Sequence, residues 1–131
     1  MQVADNLEQK ISTFYAELKR IKMIIDAASV GEQVVYLLDE IFKGTNSKDR
    51  IFGGKIIIRK LYELSTIGLI TTHDLELGIL EKECPSLIKN CHFSDSINND
   101  RVIFDYRLKT GISQSTNALA LMKLIGIEME G

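Results

Sequence analysis

Two adjacent carboxylates, Asp39 and Glu40, directly follow an apolar run that begins at Val34. A run without polar alternation predicts a strand that is buried on both faces of a parallel sheet, and the carboxyl end of such a strand lies at the ligand-binding edge. An acidic pair at that position is the Walker B arrangement, in which the first carboxylate holds magnesium and the second polarises the water that attacks a γ-phosphate. We therefore assign Asp39 to the metal and Glu40 to catalysis; the alternative is a helix cap or a surface turn.

A polar cluster also ends the next apolar run, residues 67–72, where the sequence reads Thr71-Thr72-His73. The carboxyl ends of parallel strands meet at one edge of a sheet, so His73 is expected near the γ-phosphate, in a catalytic or sensing role. The alternative is a solvated turn residue, with Asp74 capping the helix that follows.

A phosphate-binding loop of the form G-x-x-x-x-G-K-[ST] does not occur in the 131 residues. The nearest imitation, Gly53-Gly54-Lys55, is followed by Ile56 inside a run with helical spacing. Such a loop supplies the largest set of charge-assisted contacts to a triphosphate. We therefore expect weak binding of ATP and Mg²⁺ by this chain alone, or none.

A zinc site can be assembled on paper from Cys84, Cys91, His73 and His92. The spacing contains no C-x-x-C pair, and two of the four residues lie in predicted regular structure. Zinc is therefore disfavoured.

Apolar spacing of three and four residues predicts helices over 11–28 and 48–64, and a third helix over 75–83 that ends before Pro85. Ser12 and Thr13 stand at the start of the first periodic run, where their hydroxyls would cap the helix. The two apolar strands and the helix over 48–64 between them predict a βαβ unit in an α/β domain.

The pattern after residue 91 differs. Residues 92–97 and 101–109 predict two antiparallel strands joined by Asn98-Asn99-Asp100. Alternating apolar side chains on the second strand are predicted to share one face: Val102, Phe104, Tyr106 and Leu108. A final helix over 117–125, buried against the sheet and capped by Gly126, completes the expected elements.

Composition limits the domain count and the class of partner. With 131 residues and 45% hydrophobic content, one domain over 1–131 is expected. The 16 basic residues are interspersed with 18 acidic ones, so DNA contact by this chain alone is not supported. There is no signal-peptide pattern, and no apolar run approaches the roughly 20 residues that span a bilayer. A cytoplasmic setting without a membrane is expected.

Residues 37–49 closely resemble the Walker B strand and the following loop of MutS proteins, because the Asp-Glu, Gly-Thr and Asp spacings agree. Three further segments follow in the family's order and extend the resemblance over nearly the whole chain. They are Asp5-Asn6-Leu7 with Ser12-Thr13-Phe14 and Glu17 (signature loop and helix), Thr71-Thr72-His73 (histidine switch) and Asn117-Ala118-Leu119-Ala120 (terminal helix).

The resemblance implies the C-terminal part of an ABC-type P-loop NTPase domain, with parallel core strands, flanking helices and a C-terminal antiparallel hairpin. Such domains form homodimers in which one subunit's signature segment covers the nucleotide of the other. Ser12, with Thr13, is thereby assigned to the γ-phosphate of the partner's nucleotide. Asn46, Ser47 and Asp49 are assigned to a nucleotide-binding loop that crosses the dimer interface; their alternative is a polar turn and helix cap.

Two departures from the family stand out. Lys10-Ile11 replaces the glycine that usually precedes the Ser-Thr-Phe segment, and the upstream phosphate loop is missing. We therefore expect a truncated portion of a longer DNA mismatch repair protein that contacts DNA through domains this chain lacks. A non-catalytic dimerisation module is the alternative. Other Walker B proteins, such as helicases or transporter ATPases, are disfavoured because they lack Gly-Thr-Asn-Ser at this distance.

Overall fold

The computed structural model describes residues 2–114 and 117–127, apart from the side chains of residues 2, 3 and 5. The chain divides into two compact units, Met1–Ile88 and Lys89–Gly131. Asp5, which the resemblance placed in the signature segment, is described through its backbone only.

The first unit contains a parallel βαβ arrangement flanked by helices. Its elements are α1 (Gln2–Ser29), β1 (Val34–Asp39), α2 (Ser47–Glu63), β2 (Thr66–Thr71), a 3₁₀ turn (Leu75–Gly78) and α3 (Ile79–Glu83). β1 and β2 pair in parallel, with Val34 opposite Thr66 and Asp39 opposite Thr71. The predicted strands, the helix between them and their parallel pairing are confirmed.

α1 is longer than its apolar periodicity predicted, because it begins at Gln2 and not near Ile11. Thr13 lies inside it and donates from its hydroxyl to the carbonyl of Gln9 at 2.9 Å. The interpretation of Ser12 and Thr13 as an N-cap is therefore wrong. In the part of the chain that the structure describes, no helix is both long and apolar enough to cross a membrane.

The core lies on one face of the β1–β2 pair. Its buried members come from α1, α2 and the turn after β1: Ile21, Ile41, Phe42, Ile57 and Leu61, with Tyr36 and Leu38 packed against them from β1. On the opposite face four apolar side chains are 70–76% exposed: Val35, Leu37, Ile67 and Leu69. The prediction that these strands are buried on both faces is wrong for the described residues, because α1 and α2 cover the same side.

The turn after β1 has an unusual backbone. Glu40 and Phe42 both adopt positive φ angles, 47° and 64°. Such a conformation costs a residue with a side chain roughly 1–2 kcal/mol. Phe42 is nevertheless only 1% exposed, and its ring meets Phe14 of α1 edge-on, with the ring centroids 5.1 Å apart. Burial of the ring offsets the backbone strain.

α2 begins with a capped first turn. Asn46 is the N-cap residue, and its side-chain oxygen accepts from the backbone N–H of Asp49 at 2.9 Å. The Asn46 amide also donates to the Asp49 carboxylate at 2.9 Å. The helix-cap interpretation of Asn46 and Asp49 is confirmed, while their assignment to a nucleotide-binding loop stays a prediction.

The second unit contains short strands and one helix: β3 (Cys91–His92), β4 (Asp95–Asn98), β5 (Arg101–Phe104), β6 (Lys109–Thr110) and α4 (Asn117–Leu124). β4 and β5 form the predicted antiparallel hairpin through Asn99 and Asp100, which both have positive φ angles. β5 ends at Phe104, however, and β3 pairs with β6. The two long strands predicted over 92–97 and 101–109 are therefore each interrupted.

α4 is capped as predicted but is not buried. Gly126 has a φ of 86°, and Ile127 donates its N–H to the carbonyl of Met122 at 2.8 Å. This is a glycine-capped helix end. The four large apolar side chains of α4 are 39–47% exposed: Leu119, Leu121, Met122 and Leu124. The prediction of a helix buried against a sheet is therefore wrong for the described residues.

Candidate functional site

The carboxyl end of β1 presents Asp39 and Glu40 beside Thr71, the last residue of β2. The Thr71 hydroxyl donates to Asp39 Oδ1 at 2.5 Å and accepts from the backbone N–H of Glu40 at 3.0 Å. Glu40 N also lies 3.1 Å from the Thr71 carbonyl. Thr71 of the neighbouring strand therefore orients the Asp39 carboxylate and fixes the backbone of Glu40.

Each oxygen of the Glu40 carboxylate contacts a basic side chain. His73 Nε2 lies 2.6 Å from Oε1, and Lys43 Nζ lies 2.6 Å from Oε2. The Lys43 hydrogen bond, followed by the Lys43 charge and the His73 contact, holds the pKa of Glu40 below its ordinary value although partial desolvation opposes it. Glu40 in turn raises the pKa of Lys43. The carboxylate is therefore ionised and cation-paired at neutral pH.

An open cleft of about 200 Å³ lies in front of Glu40. Its lining is mostly charged and polar, with one apolar residue, Ile41; the other lining residues are Glu40, Lys43, Arg50, Thr72, His73 and Asp74. The predicted catalytic residues Glu40 and His73 are thus brought together at one site, as expected for the ends of adjacent parallel strands.

Arg50 and Asp74 form a two-pronged ion pair at the side of this cleft. Arg50 Nε lies 2.6 Å from Asp74 Oδ2, and the terminal nitrogen Nη2 lies 2.9 Å from Oδ1. The Asp74 side chain is only 10% exposed, and the Arg50 hydrogen bonds lower its pKa. Asp74 does occupy the N-cap position of the 3₁₀ turn, but its carboxylate makes no cap bond because Arg50 engages it.

The residues assigned to nucleotide contact from a second subunit lie elsewhere in the first unit. Ser12 is exposed on α1, and Thr13 lines a second cleft of about 220 Å³ beside Lys10 and Gly44. Ser47 is exposed at the start of α2. These residues do not line the cleft at Glu40, and their assignment to nucleotide contact stays a prediction.

Asp39 is the residue assigned to magnesium, and it is exposed at the sheet edge. Among the side chains that the structure describes, no three or more from His, Cys, Asp and Glu gather into a metal cage. Mg²⁺ is usually held by one or two carboxylates together with substrate phosphates and water. The Asp39 carboxylate accepts one hydrogen bond and has about four lone-pair positions, so it fits such a shared site.

The family description MutS domain V matches residues 1–130, which is nearly the whole sequence. The chain belongs to the MutS family. This confirms the family predicted from residues 37–49 and from the order of the three other segments.

The chain spans only a small part of the length of two curated MutS relatives. It is 30% identical over 119 residues to MutS protein homolog 4 of Mus musculus, covering 86% of this chain. It is 31% identical over 124 residues to Endonuclease MutS2 of Thermomicrobium roseum, covering 93% of this chain. The aligned regions are only 12% and 15% of those two proteins.

Several contacts of the candidate site were not predicted from the sequence. The contact between Lys43 and Glu40 could have been predicted, because the two residues are three positions apart in a turn. Arg50 and Glu17 act on residues 24 and 25 positions away, so no local pattern indicates their partners. Thr71 was recognised as polar and edge-located, but its contact with Asp39 depends on strand register.

Proposed function

We propose that this chain supplies the magnesium-holding and water-activating part of an ATP-hydrolysing site in a MutS-family DNA mismatch repair protein. The observation that carries the proposal is the meeting of Asp39, Glu40 and His73 at the carboxyl ends of two parallel strands. A βαβ unit with acidic and histidine side chains at this edge is suited to phosphoryl transfer.

Asp39 would hold Mg²⁺, which when bound neutralises charge on the β- and γ-phosphates. Glu40 would align a water molecule and accept its proton as the water oxygen bonds to the γ-phosphorus. The bond from that phosphorus to the bridging oxygen then breaks, and ADP leaves with the bridging oxygen. Glu40 suits this role because it is ionised and fixed at its backbone by Thr71.

Lys43 and His73 would bind the γ-phosphate during this step. Both now contact Glu40 at 2.6 Å, so a triphosphate at this edge would compete with Glu40 for the two side chains. Such competition would release the carboxylate oxygens for water at the moment substrate is bound.

The amide cradle for the phosphates would come from outside these 131 residues, since the sequence contains no G-x-x-x-x-G-K-[ST]. The assembled site would form in a homodimer, with Ser12 and Thr13 reaching the partner's nucleotide and Asn46, Ser47 and Asp49 near the interface. DNA would be bound by other domains of a cytoplasmic parent protein.

The test uses the longest natural polypeptide that contains this chain. Its Mg²⁺-dependent ATP hydrolysis is measured for the unaltered protein and for two variants, Glu40→Gln and Glu32→Gln. General-base catalysis contributes about 10²–10⁴-fold, so Glu40→Gln should lower kcat by that factor. Glu32 is an exposed acid in the turn before β1, and its substitution should leave kcat unchanged. Equal kcat for Glu40→Gln and the unaltered protein would overturn the proposal.

Nucleotide binding by the 131-residue chain alone is tested by calorimetric titration with Mg²⁺ and ATP. Weak binding or none is expected, because the phosphate cradle lies elsewhere. Micromolar binding that Asp39→Ala abolishes would contradict this expectation and make the chain a competent nucleotide site by itself.

A non-catalytic dimerisation module is the second candidate function. The observation that favours it is the bare apolar face of the sheet, where Leu37 and Ile67 are 75% and 76% exposed. A binding module predicts no hydrolysis in the longer protein and unchanged partner affinity after Glu40→Ala. An ATPase predicts that hydrolysis is present and is lost in the same variant.

A further inference from the structure

Glu17, near the middle of α1, makes a long-range contact with the turn that carries Glu40. Its Oε2 accepts the backbone N–H of Phe42 at 2.6 Å, in a partly buried position. Phe14, one helical turn earlier, packs edge-on against the Phe42 ring. Residues three apart share a helix face, so the same face of α1 holds both the backbone and the side chain of Phe42.

The turn is therefore fixed at both ends. Thr71 bonds the backbone N–H of Glu40 at its start, and Glu17 bonds the N–H of Phe42 at its end. Glu40 and Phe42 both have positive φ angles, and such conformations persist only where the surrounding contacts enforce them. Loss of the Glu17 contact would leave a buried N–H without its acceptor and would let the turn relax.

We propose that Glu17 is a positioning residue for Glu40. Its carboxylate sets the backbone conformation from Glu40 to Phe42, and thereby the place at which the Glu40 carboxylate meets His73. The inference rests on the proposed function in one respect only, which is that a displaced Glu40 would slow hydrolysis.

The first test uses NMR of the 131-residue chain and needs no nucleotide. The sequence has two histidines, so their ring resonances are readily assigned. His73 contacts Glu40, while the His92 ring in the second unit bonds to the Gly111 carbonyl and serves as an internal reference. Glu40→Gln calibrates the response of the His73 ring to a change at its partner.

Glu17→Asp and Glu17→Ala should shift the His73 resonances in the same sense as Glu40→Gln and leave His92 unchanged. Aspartate is one methylene shorter, so it loses the bond to Phe42 while keeping the charge and the helix. Glu17→Gln should leave the His73 resonances where they are in the unaltered protein, because the glutamine side-chain oxygen can accept the same Phe42 N–H. Asp26→Ala is the matched control, since it removes an α1 carboxylate whose ion pair is with the exposed Lys22.

A purely structural role makes a different prediction. In that case Glu17→Asp would speed hydrogen exchange at the Phe42 amide and leave the His73 ring unmoved, which would overturn the proposal. Should Glu17→Ala fail to fold, the Glu17→Asp and Glu17→Gln pair still decides the matter.

Hydrolysis by the longer protein provides the second readout. Glu17→Asp should lower kcat by about tenfold with KM for MgATP changed less than about twofold, the pattern of a lost transition-state interaction. An unchanged kcat together with a shifted His73 ring would overturn the link to catalysis. If Glu40→Gln itself leaves hydrolysis intact, the proposed function fails, while the His73 response to Glu17→Asp still tests positioning.

Discussion

The Oγ1 of Thr71 lies 2.5 Å from Oδ1 of Asp39, across the parallel pair of strands. The two residues are directly opposed in register at the last position of each strand. Because the same oxygen accepts the N–H of Glu40, one hydroxyl serves the residue assigned to magnesium and the residue assigned to water. The geometry of the proposed chemistry therefore depends on a side chain that takes no direct part in it.

Thr71→Val removes this hydroxyl while keeping the branched shape of the side chain. Contacts that orient a metal ligand usually contribute 10–100-fold to metal affinity, so the Mg²⁺ concentration for half-maximal hydrolysis should rise at least about tenfold. The measurement is the Mg²⁺ dependence of hydrolysis by the longer protein. Thr71→Ser retains the hydroxyl and is the control. Identical Mg²⁺ dependence in Thr71→Val and Thr71→Ser would show that the hydroxyl does not orient Asp39.

The cation pair on Glu40 predicts a pH effect. Lys43 is the main cause of the lowered pKa of Glu40, so Lys43→Met should raise that pKa toward its ordinary value. If Glu40 acts as an ionised base, activity falls as the pH drops through its pKa. The pH profile of kcat/KM reports the pKa values of groups in the free protein. Its acid limb should therefore move to higher pH in Lys43→Met. A limb that stays in place or moves to lower pH would exclude Glu40 as its source.

The Arg50–Asp74 pair should stabilise the fold in a pH-dependent manner. Arg50 lowers the pKa of Asp74 from 3.8, so the folded state favours the ionised carboxyl. This stabilisation is complete above the unfolded pKa and is lost as the pH falls through the lower folded value. Arg50→Met should therefore reduce the midpoint of thermal unfolding by several degrees at pH 7, and by much less near pH 2.

Arg59 and Glu83 provide the matched control for this experiment. They form an ion pair of similar geometry, with Nη2 2.8 Å from Oε1, but their side chains are 40% and 39% exposed. Exposed pairs contribute little because water screens them. Arg59→Met should leave the unfolding midpoint nearly unchanged, and equal losses in the two variants would contradict the special role of the less exposed pair.

Phe42 predicts an unusual order of stability among small substitutions. Removing its buried ring should lower the free energy of unfolding by about 3–5 kcal/mol in Phe42→Ala. A glycine variant is ordinarily less stable than the alanine variant by roughly 0.5–1 kcal/mol. At position 42 glycine also relieves the strain of the φ angle of 64°. Phe42→Gly should therefore be at least as stable as Phe42→Ala in urea unfolding. The ordinary order would show that the turn is unstrained.

The parallel strands and the edge they form were predictable because Val34 to Asp39 is an apolar run with an abrupt acidic end. What covers those strands was not predictable. The apolar side chains of a strand do not show whether the face they form is covered by the same chain. Val35 and Leu37 belong to such an apolar run, yet they are exposed. The start of α1 was missed because residues 4–10 include few apolar side chains, and Thr13 was mistaken for a cap.

The hairpin of the second unit shows a different limit. Alternation from Val102 to Leu108 predicted one continuous strand, but Asp105 accepts the backbone N–H of Arg107 at 3.0 Å. An aspartate that bonds its own backbone two residues ahead competes with strand pairing. Tyr106, between them, adopts a positive φ of 53°. Local hydrogen bonding here overrides the hydrophobic pattern.

The register of β2 limits where residues can be inserted in this protein. Side chains of a strand alternate between faces, so one residue inserted between Thr66 and Thr71 would exchange the two faces beyond it. A side chain from the core-facing row, such as Ile70, would then stand opposite Asp39 in place of the hydroxyl. Natural insertions should consequently occur in the connecting turns, while the six-residue span of β2 keeps its length.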